Sequence, residues 1–127
     1  MKIHHVAMFV SDLERTKEFF IKYFDATCGD MYHNKTTGLR TYMLMFSNGA
    51  KLEIMNRPDA HSVDKAGFGL GYSHISFSVG SKEKVDELTG LMQSDGYKVM
   101  SGPRVTGDGF YESCVLDHEC NHIEITV

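Results

Sequence analysis

Two stretches of the chain, HVAMFV from His5 to Val10 and HISFSV from His74 to Val79, carry the same pattern of apolar and polar positions 69 residues apart. In the second, Ile75, Phe77 and Val79 form one apolar stripe, while His74, Ser76 and Ser78 fall on the opposite side. That period of two predicts a strand with one packed face. In the first, His4, Val6, Met8 and Val10 share one side, and His5, Ala7 and Phe9 share the other. The repeat assigns His5, with His74, to the side away from the packing; His4 falls outside that set and reads as exposed or packed.

Each strand leads through a polar turn into a helical pattern. In SDLERTKEFFIKYF, Ser11 and Glu14 form an expected capping box, and Leu13, Phe20 and Phe24, with Phe19 and Tyr23, recur at helical spacing. In KEKVDELTGLMQSDG, Ser81 is the expected cap, Val85, Leu88, Leu91 and Met92 the buried face, and Gly96 the stop. Strand pairs with turn signals follow: LRTYMLMF turns at SNGA into KLEIM, and FYESCVLD turns at HECN into HIEITV. A less regular strand precedes each pair, in TCGDMYHN and in YKVMSGP. The chain therefore reads as two copies of a βαβββ module: an α+β fold with a curved mixed sheet and helices on its convex face. Module one spans about 1–57, a polar linker or lid RPDAHSVDKAGFGLG about 58–71, and module two about 72–127.

The same alternation sends Leu52, Ile54, Ile123, Ile125 and Val127 to the core. Lys51, Glu53 and Met55, and likewise His122, Glu124 and Thr126, go to the opposite face. Glu53 and Glu124 are 71 residues apart, nearly the offset of the two histidines. His5, Glu53, His74 and Glu124 thus occupy matched positions on one face. A sheet with one solvated face also alternates, but two imidazoles and two carboxylates at repeat-equivalent places favour a divalent-metal site, for Ni²⁺, Zn²⁺, Co²⁺, Mn²⁺ or Fe²⁺.

Composition narrows the classes. The 127 residues, 42% hydrophobic, suit one domain with its own core. A net charge of −4 with scattered Lys and Arg argues against nucleic acid. No apolar run approaches the ~20 residues of a membrane span. With no signal-like segment, the expectation is a cytoplasmic protein. Cys28, Cys114 and Cys120 form no C-x-x-C pair and read as reduced thiols.

On HHVAMFVSDLERTKEFF, KLEIM, SHISFSV and HIEITV, the chain resembles the vicinal oxygen chelate superfamily. That superfamily includes glyoxalase I, methylmalonyl-CoA epimerase, extradiol dioxygenases, fosfomycin-resistance proteins and bleomycin-binding proteins. Glyoxalase I has His, Glu, His and Glu at the places of His5, Glu53, His74 and Glu124. The resemblance implies a metal-dependent isomerisation of an α-ketoaldehyde–thiol hemithioacetal to a 2-hydroxyacyl thioester, through a metal-stabilised enediolate. It also implies Glu124 as the base, with Glu53 a fellow ligand able to share that role, and glutathione or another thiol as cosubstrate. A homodimer is expected, in which one chain supplies the first-module ligands and the other the second-module pair.

The chain departs from that family at Phe9, where an arginine is usual in bacterial glyoxalase I. It departs again at Arg57, where an asparagine is usual, with Asn56 one place early, and at Ser73, where Gly is common. Glutathione recognition is the property these changes touch. Arg40 and Arg104 are candidate anion contacts, and Tyr42, Tyr72 and Tyr111 candidate pocket or packing residues. His122 reads as a neighbour of the ligands or a surface residue, His118 as part of a hairpin turn, and His61 and Phe68 as the notable side chains of the linker. The rival readings are another enzyme of the superfamily (epimerase, extradiol dioxygenase or thiol transferase) and a protein that sequesters a small molecule or drug without catalysis.

Overall fold

The computed structural model describes residues 1–65 and 69–127; Phe68, singled out in the linker, lies outside them. The chain divides into two units, Met1–Val63 and Asp64–Val127. The first runs β1 (Val6–Phe9), α1 (Leu13–Phe24), β2 (Thr27–Cys28), β3 (Tyr32–His33), β4 (Arg40–Met45) and β5 (Lys51–Asn56). The second runs β6 (His74–Ser78), α2 (Lys82–Ser94), β7 (Val99–Val105), β8 (Tyr111–Leu116) and β9 (His122–Thr126). The α+β class and the helix-bearing modules are as the sequence predicts, and the strands are hydrogen-bonded as two sheets, one in each unit. The irregular stretch TCGDMYHN splits at Gly29–Met31 into β2 and β3, both paired with β4.

Both sheets have the same logic. The strand that opens the unit lies parallel to the strand that closes it, giving the orders β1-β5-β4-β2 and β6-β9-β8-β7. Parallel neighbours need a crossover, and in each unit the helix and the remaining strands supply it.

The helix packs on one face only. In the first unit, Leu13, Phe19, Phe20 and Tyr23 of α1 are buried with Leu44, Leu52 and Ile54. Phe20 stacks edge-on to Phe19 and to Phe46. In the second unit, Val85 and Met92 of α2 are buried with Val115, Ile123 and Ile125. Between them lies Thr89 rather than an apolar residue. Its hydroxyl donates to the Val85 carbonyl and shares a 2.6 Å hydrogen bond with Ser113, so a polar group is buried with its bonding satisfied. The buried stripe of α2 is therefore Val85–Thr89–Met92, spaced by four and three, and Leu91, expected on that face, is exposed.

The helix ends follow the capping rules with one shift. Ser81 caps α2, accepting from the Lys84 amide, and Gly96 closes it with a left-handed backbone at φ +92°. On α1 the cap is Asp12 and not Ser11: the Asp12 carboxylate accepts from the Arg15 amide at 3.0 Å. Glu14, expected to reach back toward Ser11, instead pairs with Lys17 and accepts from the Tyr42 hydroxyl at 2.6 Å. Both contacts favour the ionised form, Lys17 more than Tyr42, and hold the Glu14 carboxyl below its ordinary value. Removing the cap by Asp12→Ala should cost about 1 kcal/mol, read as a lowered urea midpoint with unchanged slope.

Candidate metal centre

The faces that α1 and α2 leave free carry the paired donors. His5 immediately precedes β1, and Glu53 lies on the neighbouring β5, where its Cα partner is Ala7. His74 opens β6, and Glu124 lies on the neighbouring β9, opposite Ser76. Each histidine therefore stands two residues before the partner of its glutamate, at the same diagonal in both sheets. His5 Nε2 is 3.5 Å from Glu53 Oε2, and His74 Nε2 is 3.5 Å from Glu124 Oε2. Alternation does the rest: Leu52 and Ile54 flank Glu53 and are buried, as Ile123 and Ile125 flanking Glu124 are.

That separation fits a shared ion. Two donors each ~2.1 Å from one tetrahedral metal stand about 3.4 Å apart. Imidazole nitrogen with carboxylate oxygen is a donor set for Zn²⁺, Ni²⁺, Co²⁺, Mn²⁺ or Fe²⁺. Among the described residues of either unit, no third His, Cys, Asp or Glu joins a pair to form a metal-holding group. Each unit contributes two donors of the four in the candidate set.

Of the neighbours of these donors, His122 was anticipated in the sequence reading and the others were not. His4 is exposed, and its Nδ1 lies 2.8 Å from His5 Nδ1, where one ring donates to the other. With the proton of that bond on His5 Nδ1, His5 Nε2 keeps its lone pair for an ion. Ser76 donates to Glu124 Oε1 at 2.6 Å. On β8, Cys114 faces Glu124 and Glu112 faces Thr126. Burial, and then the Glu124 charge, push both the Cys114 thiol and the Glu112 carboxyl above their ordinary values. His122, opposite His74 on β9, brings Nδ1 to 3.6 Å from the Cys114 sulfur. The signal for Glu112 and Cys114 was the alternation of YESCVL, whose buried members are Ser113 and Val115.

The weaker candidates divide. Phe9 is on the His5 side of β1 and half exposed. With Ala7, Met43 opposite Glu53, and Met55 opposite Phe9, it makes the surroundings of the first pair apolar. Arg104 pairs with Glu112 across β7 and β8, on the Glu124 side of the second sheet. Arg40 and Tyr42 do not join the His5 and Glu53 face. They alternate with Thr41 and Met43 on β4 and share the side of Leu44, toward α1, where Arg40 bonds Asn56 and Tyr42 bonds Glu14. Asn56 in turn donates to the Val10 and Ser11 carbonyls, bracing the end of β1. Arg57 is engaged by Asp59 in the segment after β5. Tyr111 reaches Asp86 on α2, and Tyr72 is exposed. Among the described residues no helix is long and apolar enough to cross a membrane.

Two units of one plan, in which a helix and further strands join a parallel opening and closing strand, define a class of protein, and comparison with known families agrees on the fold. Residues 2–125 match the Glyoxalase/Bleomycin resistance protein/Dioxygenase superfamily, and the chain belongs to it. A relative from Bacillus subtilis strain 168, YqjT, is 28% identical over 97% of this chain and 96% of its own. The trypanothione-dependent glyoxalase I of Leishmania major superposes with a TM-score of 0.78 at 19% identity, covering 99% of this chain and 86% of that one. The fosfomycin-resistance protein FosX of Listeria monocytogenes, solved with Mn(II) and sulfate, superposes at 0.75 and 20% identity, covering 99% and 91%. At these identities the solved structures share the fold.

Proposed function

We propose that the chain is a metal-dependent isomerase of the glyoxalase I type. Its substrate would be the hemithioacetal of an α-ketoaldehyde and a thiol, glutathione or another, and its product the 2-hydroxyacyl thioester. The observation that carries this reading is the His–Glu pair made twice, at 3.5 Å in each unit, on the face that the helix leaves free. Sequestration of a small molecule needs no such duplicated donor set.

His5, Glu53, His74 and Glu124 would hold the divalent ion, which supplies Lewis-acid stabilisation of negative charge on adjacent substrate oxygens. The remaining work falls to the chain. A glutamate carboxylate takes the carbon-bound proton and returns it to the neighbouring carbon, so the same group acts first as base and then as acid. The apolar flank of Ala7, Phe9, Met43 and Met55 suits the non-reacting part of a thiol substrate better than it suits a carboxylate. A trypanothione-dependent glyoxalase I among the structural neighbours supports a thiol other than glutathione as one candidate. Because each unit supplies two donors, we place the complete site in a homodimer that combines a pair from each module.

The test is reconstitution of the metal-stripped protein with each of the five ions, followed by assay with methylglyoxal hemithioacetals of glutathione and of a less acidic thiol. The expected result is near-stoichiometric metal and turnover that disappears on chelation. Metal uptake without turnover on any hemithioacetal would discard the isomerase reading and keep the site. No uptake of any ion would discard both.

A further inference from the structure

The two pairs match in histidine and carboxylate but differ in the residue beside each carboxylate. Across the parallel strands β6 and β9, the Cα partner of Glu124 is Ser76; across β1 and β5, the Cα partner of Glu53 is Ala7. Directly paired residues of neighbouring strands project to the same side. The Ser76 hydroxyl uses this, donating to Glu124 Oε1 at 2.6 Å while Oε2 turns to His74 Nε2. Ala7 has no hydroxyl to give. Among the described residues, the side chain brought within ion-pair distance of Glu53 is His5.

We infer that Ser76 is a positioning residue that makes the two carboxylates unequal, presenting Glu124 to the metal through one fixed oxygen while Glu53 has no matching hydroxyl beside it. The inference rests on the metal-site reading above. A glutamate already held by a hydrogen bond has given up its rotamer freedom before the ion arrives, whereas an untethered one gives it up on binding. Hydrogen bonds from outside the ligand set orient ligands in this way. Glu124 is then the carboxylate already set for the ion before it arrives, and Glu53 is ordered further on binding.

The strand geometry supplies its own control. Ala7 and Ser76 hold the same register position, so alanine is already accommodated there, and Ser76→Ala is expected to fold. Ala7→Ser places a hydroxyl beside Glu53 by the same geometry.

The experiment uses the full chain, stripped of metal and titrated with Mn²⁺ and Ni²⁺ against a chelating dye, with circular dichroism on every variant. Ser76→Ala should weaken binding by ~10-fold, and Ser76→Thr, which keeps the hydroxyl, should restore it. Ala7→Ser should tighten binding, and Glu53→Gln should weaken it less than Glu124→Gln. If the wild type binds metal and Ser76→Ala binds it equally well, or if Ser76→Thr fails to restore a loss, the inference is overturned and the metal site stands. A wild type that takes up neither ion overturns the metal reading, and this inference with it.

Discussion

Gly102→Ala is expected to lower stability by about 2–5 kcal/mol, the sum of a left-handed backbone imposed on an L side chain and of forced overpacking. Gly102 has φ +79°. A Cβ built on it would lie 2.4 Å from the Glu112 carbonyl oxygen and 2.8 Å from Ser113 Cα. Both are backbone atoms of β8, so no side-chain rotation relieves the clash; the strand itself would have to move. The position matters because the β7–β8 register shifts between Ser101 and Arg104, and only after that shift does Arg104 stand opposite Glu112. Urea unfolding reads the effect directly. Gly90→Ala is the control: Gly90 is inside α2 with nothing within 4 Å of an added Cβ, and the change should stabilise by roughly 0.5–1 kcal/mol. Equal midpoints for Gly102→Ala and wild type would contradict the close approach of β7 to β8.

The second large effect is expected in metal affinity. His74→Ala should weaken Ni²⁺ or Mn²⁺ binding by more than ~100-fold, since loss of a direct donor exceeds the 10–100-fold that follows loss of an outer hydrogen bond. Stability of the metal-free fold should hardly change, because the His74 side chain is nearly half exposed at the open face and contributes little packing. That combination separates a ligand from a structural histidine. A competing account treats each pair as an ordinary ion contact between imidazolium and carboxylate at a solvated sheet face. It predicts no metal binding in wild type or variant, and only a small stability change at any pH. His33→Ala, on an exposed position of β3, serves as the reference and should bind metal as the wild type does.

Much of this arrangement was legible before any coordinates. HISFSV and HIEITV alternate without a break, so the side chains that must be buried name those that cannot be, and the repeat carries the assignment to His5 and Glu53. What alternation could not supply was chemistry between neighbours. Ser76 and Ser78 read alike in the sequence, and only the pairing of Ser76 with Glu124 sets one apart from the other. Thr89 was passed over for Leu91 because a hydroxyl reads as exposed until its partner, Ser113 on another element, is known. Ser11 and Asp12 are both good caps, and the two differ by one residue of helix phase. Arg40 was named as a candidate anion contact, and Tyr42 as a pocket or packing residue, without use of the parity of their own strand. The parity of RTYMLM was available, with Leu44 as its buried apolar member, and it places both residues toward α1.

The position of the donors within each sheet has a kinetic consequence. His74 opens the outermost strand of its sheet and His5 immediately precedes the outermost strand of the other, while Glu53 and Glu124 lie one strand further in. An outermost strand is held by backbone hydrogen bonds along one side, and such strands open first when a sheet breathes. An ion gripped by both members of a pair rivets the outermost strand to its neighbour. Metal release and strand fraying would then be coupled. Loading the protein with metal should slow amide hydrogen exchange along β1 and β6.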